Sequence, residues 1–280
     1  MKMLLMARFT AREALHKRVV HGVLALTVAF VLLYSLGVWL AYRETSGVVS
    51  IGSQQEFLRR MWSMQFTLLG MNAVSGIGAL LAIFLSVGTI SAEVEAGTLH
   101  SIVPKPLTRR DILLGKWLGY AVTLSIYVFV LSLAVCGIVA FFSGRWANNV
   151  VLAALPLVLQ SVLLLSLSIL GTTFLPTVTN GVVVFGLYSI ATMSGFVEQL
   201  GSLIGNDAMI NTGIVTSLLI PSDAMGKLSE SIVQEGASYF ERMGPFVVNS
   251  APSGWMVVYA ILYMVVVLLL AQRIFASRDL

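Results

Sequence analysis

Glu93 and Glu95, two residues apart in a polar stretch, are the arrangement in this chain that comes nearest to an acid/base pair. Such a pair needs an environment that drives its two pKa values apart. Acids in a solvated loop more commonly serve as docking groups, so no catalysis is assigned to them. Gly115-Lys116 is followed by Trp117, and Arg110 stands five positions before Gly115. That order breaks the G-x-x-x-x-G-K-[ST] loop that would cradle phosphates. His16, His21 and His100 lack metal-ligand spacing, and Cys136 is the single cysteine, which excludes an intrachain disulfide and a cysteine cluster. Neither G-x-S-x-G nor H-E-x-x-H occurs. The chain is therefore not expected to be an enzyme by itself or to bind a cofactor or metal.

The remaining chemistry is neutral and lies within apolar runs: Asn72, Gln160 and Asn180. Such groups ordinarily make interhelical hydrogen bonds worth on the order of 1 kcal/mol. Gln160 and Asn72 are also the candidates for lining a substrate path. Ion-coupled transporters usually mark that path with ionisable residues inside their spans. Here the spans carry almost none, so the energy for active transport is expected to come from another subunit. The spans also show no ring of charge that would suit a channel.

The elements that hold these residues follow from composition. Residues of the AVILMFWYC set make up 58% of 280 residues and charged residues 11%, with a mean hydropathy of +0.91. Globular chains carry about 25% charged residues. The apolar residues form uninterrupted runs long enough to cross a bilayer core of ~30 Å. Six spans are predicted, at about 19–41, 66–90, 113–142, 150–174, 181–204 and 254–275. The fold class is an all-α membrane protein, treated as one transmembrane domain over 1–280. Strands of a membrane barrel would instead alternate over ~10 residues.

Lys and Arg between the spans set the orientation. Eleven fall on the side of the termini and six on the other, so the N and C termini are expected in the cytoplasm. Trp39, Trp62, Trp146 and Trp255 then lie at the outer interface and Trp117 at the inner one. The expected location is the cytoplasmic membrane, multi-pass. A net charge of +4 is too small to imply nucleic acid.

Three of the segments outside the spans carry readable structure. Residues 1–18 mix cations with Leu4, Leu5, Met6, Phe9 and Leu15, which suits an amphipathic helix lying on the cytoplasmic leaflet. The outer loop 205–253 is too long for a connector. Pro221-Ser222-Asp223 reads as a helix start, and Met225, Leu228 and Ile232 share a face, so an amphipathic helix is predicted from about Asp223 to Phe240. Residues 208–220 are apolar but too short to span, and suit a re-entrant or interfacial segment. The plainer reading makes the loop a cap with no ligand role.

The loop 91–111 carries the most local information. Gly97 permits a tight turn, Pro104 and Pro106 stiffen the chain, and Thr108 with Asp111 resembles a capping box that opens the next helix. The result is a stiff link into a capped helix, which a docking partner could push.

This loop resembles that of the permease subunits of type-2 ABC exporters. The matching residues are Glu93-Val-Glu95-Ala-Gly97-Thr98-Leu99, then Pro106-Leu107-Thr108-Arg109, then Leu114-Gly115-Lys116. Six spans, a basic N-terminal segment and a long last outer loop agree with the same family. The resemblance implies two permease chains, as a homodimer or with a related permease, and two copies of a separate ABC ATPase that bind ATP and Mg. It also implies that the ATPase docks on 91–111. Glu93, Glu95, Gly97, Thr98, Pro106, Arg109 and Lys116 would then serve docking and lever rigidity, and 205–253 would cap the path or meet an extracytoplasmic partner. The alternatives are a membrane scaffold that couples an ATPase to such a partner, and a lipid-modifying enzyme, for which no polar catalytic cluster is found.

Overall fold

The computed structural model describes residues 2–16, 18–48, 52–87, 89, 109–147, 149–237, 247 and 251–277. Among these, nine helices occur and no strand: α1 Lys2–His16, α2 Arg18–Val48, α3 Gly52–Ser86, α4 Arg109–Ser143, α5 Val150–Thr172, α6 Thr177–Ile204, α7 Asp207–Leu219, α8 Ser222–Val233 and α9 Trp255–Ser277. Six of them are long and apolar enough to cross a membrane: Val20–Glu44, Glu56–Ser86, Arg110–Ser143, Val150–Thr172, Thr177–Ile204 and Trp255–Ser277. Helix α3 begins well before the apolar run at Phe66, because Phe57, Met61 and Met64 continue its apolar residues among charged ones. At ~1.5 Å per residue its 35 residues reach beyond a ~30 Å core.

Helices α3, α4 and α5 form the centre of the bundle. Their inward faces are apolar and tightly packed, with Leu68, Met71, Leu124, Val128, Leu157 and Leu164 all buried. In contrast, α2, α6 and α9 bury only about a quarter of their most apolar stretch. Their outward faces carry Leu32, Leu33, Val182, Phe185, Leu262 and Val266, all exposed in the isolated chain. In a bilayer such faces meet lipid or another apolar helix, since hydrocarbon imposes no cost on them.

Helix α1 packs across the early part of α4 through small residues. Ala7, Thr10 and Ala14 are buried there, and the crossing is so close that a Cβ on Gly119 would stand 2.6 Å from the Ala7 carbonyl oxygen. Phe9, expected on the apolar face, points away from the bundle and is exposed. Small side chains, which admit close backbone approach, thus decide which face of α1 packs.

The described part of the long loop, 205–237, turns back onto the bundle. Gly205 ends α6 in the left-handed region, with φ 76°, which glycine adopts without a steric penalty. The Asn206 side chain then caps α7 by accepting hydrogen bonds from Ala208 N and Met209 N at 3.0 and 3.3 Å. Helix α7 runs back along α6, and contact is so tight at Gly201 that an added Cβ would lie 2.6 Å from the Met209 Cβ. The Gly201-x-x-x-Gly205 spacing therefore builds a hairpin within this chain. After Ile220 and Pro221 the chain reverses once more into α8.

Helix α8 packs on α3, α5 and α6 and is buried on nearly every side, with Ser222, Ala224, Met225, Lys227, Ser229, Glu230 and Val233 inside. Ser229 Oγ donates to the Ala153 carbonyl at 2.6 Å, which fixes α8 to the first turns of α5. The helix ends at Val233, short of Phe240, because the following turn places Gly236 at φ 80°; residues 238–246 lie outside the described residues.

Candidate functional site

The candidate path residues Asn72 and Gln160 share one cavity of about 420 Å³. Helix α3 supplies Asn72 and Ser75, α5 supplies Gln160, α6 supplies Tyr188, Met193 and Phe196, and α8 supplies Asp223, Lys227 and Glu230. Gln160 Nε2 donates to Ser75 Oγ at 2.8 Å, and Asn72 Nδ2 donates to Glu230 Oε1 at 2.9 Å. The polar pairs thus bridge α3 to α5 and α3 to α8. Met193 and Phe196 make the rest of the wall apolar, so the cavity can receive a molecule with polar and apolar parts.

Charge enters this part of the bundle on α8 and at Glu198 of the α6 span. Lys227 Nζ lies 2.7 Å from Glu198 Oε2 and 3.2 Å from Asp223 Oδ2, with all three side chains largely buried. Glu198 and Lys227 also line a neighbouring pocket of about 310 Å³ bounded by Ser217, Pro252 and Met256. Lys227 faces both spaces, so this ion pair stands in the wall between them. Two glycines make room for the group. A Cβ on Gly195 would fall 1.9 Å from Asp223 Oδ2, and one on Gly213 would fall 2.3 Å from the Glu198 Cβ.

Burial raises the Glu230 carboxyl to about 8, with the Asn72 hydrogen bond opposing the shift. Burial likewise raises Asp223 to about 6, opposed by Lys227.

The sequence predicts an amphipathic outer-loop helix here with Met225, Leu228 and Ile232 on one face, and assigns no site role to Asp223, Lys227 and Glu230. They recur at i, i+4 and i+7, so they share a face. The readable signal was the small residues around them, Ser222, Ala224, Gly226 and Ser229, which let a helix pack closely on several sides. Gly226 sits so near that an added Cβ would be 3.4 Å from Gln160 Oε1. Asn180 lies elsewhere, at the α5–α6 turn, where its amide donates to the Ser168 carbonyl at 3.0 Å.

Of the residues matched to the ATPase-docking loop, Glu93, Glu95, Gly97, Thr98 and Pro106 lie outside the described residues. Arg109 opens α4, with Asp111 in its first turn, where a carboxylate complements the helix dipole. Lys116 is buried, and its Nζ donates to the Thr89 carbonyl at 2.9 Å. Carbonyls just past a helix end have no intrahelical partner. The lysine thus ties the end of α3 to the start of α4, on the same side of the bundle as α1.

Over residues 10–280 the sequence matches the family model described as ABC-2 family transporter protein. The chain belongs to that family. Comparison with curated proteins gave no match. The family match and six apolar helices together make it a multi-pass membrane transport protein.

Proposed function

We propose that the chain is the membrane permease subunit of an ATP-driven exporter, and that its substrate passes through the cavity between α3, α5, α6 and α8. The observation that carries this reading is that a chain of the ABC-2 transporter family holds, between three of its spans and α8, an open-sided cavity with both polar and apolar walls. A separate ABC ATPase, in two copies, binds ATP and Mg and docks on the loop around 93–111. Two permease chains form the membrane part, and both termini lie in the cytoplasm, with α1 at the inner surface of the cytoplasmic membrane. Outward direction and the paired arrangement follow from the resemblance of the loop, and the orientation of the termini from the positive-inside rule.

Helix α3 is the lever. It carries Asn72 and Ser75 in the cavity and runs on to the end that Lys116 fastens to α4. When the ATPase pair closes, a push on the loop moves the paired ends of α3 and α4 as one piece. The polar pairs of α3 with Gln160 and Glu230 then shift relative to α5 and α8. Only contacts that differ between the two conformations can drive this change.

Glu95→Lys and Gly97→Trp in the loop test the coupling. Both variants are expected to insert and fold normally yet lose the bound ATPase and its stimulated ATP hydrolysis. Normal co-purification and normal stimulated hydrolysis in both would refute the docking assignment.

A further inference from the structure

A second cavity of about 420 Å³ lies between α1 and the first three spans, away from the cavity assigned to transport. Its walls are Val23 and Leu24 of α2, Leu81 and Leu85 of α3, and Val122 and Ile126 of α4. Leu24, Val122 and Ile126 are each about half exposed, so the groove opens sideways where the spans meet the bilayer. Tyr127 also lines it, with its hydroxyl hydrogen-bonded to Thr27 Oγ1. The cations come from α1: Arg8 and Arg12, four residues apart on one helix face, complete the lining and are exposed. They are held in place because α1 is clamped against Gly119 through Ala7, Thr10 and Ala11.

We propose that this groove binds an anionic phospholipid, one acyl chain lying against α2, α3 and α4 and the headgroup phosphate held by Arg8 and Arg12. The slot between the helices is lined almost wholly by hydrocarbon. Its two hydroxyls are already engaged, Tyr127 with Thr27 and Thr123 by donating to the Gly119 carbonyl at 3.0 Å. An acyl chain is the chemistry that fits such walls. Water is the poorer occupant, since it needs several polar partners. A guanidinium pair at i, i+4 suits a phosphate, which it can meet through paired hydrogen bonds. Cations at a membrane surface favour anionic over zwitterionic lipid. The lipid comes from the leaflet that α1 contacts, and its presence would brace α1 against the starts of α2 and α4.

The test uses the full-length protein, stripped of lipid in detergent, with phosphatidylglycerol or phosphatidylcholine added back in mixed micelles. Retained lipid is counted by native mass spectrometry, and thermal stability is followed in parallel. Wild type is expected to retain phosphatidylglycerol severalfold more than phosphatidylcholine and to gain several degrees of stability from it alone. Arg8→Gln with Arg12→Gln should lower phosphatidylglycerol retention to the phosphatidylcholine level, whereas Arg43→Gln with Arg59→Gln, on other helix surfaces, should leave the preference intact. Ile126→Trp, which fills the slot, should reduce retention of phosphatidylglycerol. Equal retention of the two lipids by wild type would overturn the proposal. So would a preference that survives loss of Arg8 and Arg12, or one lost equally in the Arg43/Arg59 variant. Competition by glycerol phosphate as effective as by the whole lipid would overturn the acyl-chain part.

Discussion

Replacing Lys227 by Met removes the cation that pairs with Glu198 and Asp223 while keeping nearly the length of the side chain. Its Nζ lies 2.7 and 3.2 Å from their carboxylates, and the three side chains are 9%, 8% and 13% exposed. Removing one partner of a buried ion pair strands the other charge and costs about 3–5 kcal/mol. Larger domains lose roughly 2–4 °C of Tm per kcal/mol, so the purified Lys227→Met variant should melt ~10 °C below wild type. Removing all three charges is a different perturbation, because a buried ion pair replaced by well-packed apolar groups of similar volume is often neutral in stability. Lys227→Met combined with Glu198→Met and Asp223→Leu should therefore recover most of the lost Tm. The assay is thermal unfolding in one detergent, read by light scattering and tryptophan emission. A single variant within about 2 °C of wild type, or a triple variant no more stable than the single, would refute the assignment of this group as a coupled buried cluster.

Three further outcomes follow from the same geometry. Gly195→Val should prevent α8 from seating, because its Cβ would stand 1.9 Å from Asp223 Oδ2; limited proteolysis should then cut within 220–235, and Asp223→Ala in the same chain should restore protection in part. Lys116→Met gives up a charged hydrogen bond to the Thr89 carbonyl, which should cost ~1.5–3 kcal/mol of stability, measured as a lower Tm; an unchanged Tm would argue that the tie is slack. Glu230, raised to about 8 from an ordinary 4.5, holds a proton when folded that the unfolded chain has lost. Stability should accordingly be complete below about pH 4.5 and fall as pH rises toward 8. Glu230→Gln, which can still accept the Asn72 hydrogen bond, should flatten that slope, and a slope unchanged in this variant would contradict it.

The six crossings were legible because a bilayer imposes a length and a composition, and uninterrupted runs such as 113–142 satisfy both without reference to any neighbour. Asn72 and Gln160 were legible as candidates because an amide inside an apolar run must find a partner. That they find Glu230 and Ser75 around a common cavity was not legible, since it depends on a helix that is not a span. Helix α8 presented the pattern of a surface helix: Met225, Leu228 and Ile232 on one side and Asp223, Lys227 and Glu230 on another. Amphipathic spacing tells that two faces differ but not what each one meets. Its burial is decided by Gly195, Gly201 and Gly213 on α6 and α7, which bring three helices together only once the chain has turned at Gly205 and Pro221. The same holds for α1, where Ala7, Thr10 and Ala14 are buried near Gly119 while Phe9 is exposed.

If this chain works as the membrane part of a machine whose motor is another subunit, that motor should stay bound to it on purification. The most direct measurement is purification of tagged protein from its native membrane under mild detergent, with identification and copy counting of everything that stays bound. An ABC ATPase should remain bound at about equal copy number, with ATP hydrolysis in the purified complex. Recovery of the chain alone, or with a partner that binds no nucleotide, would contradict it.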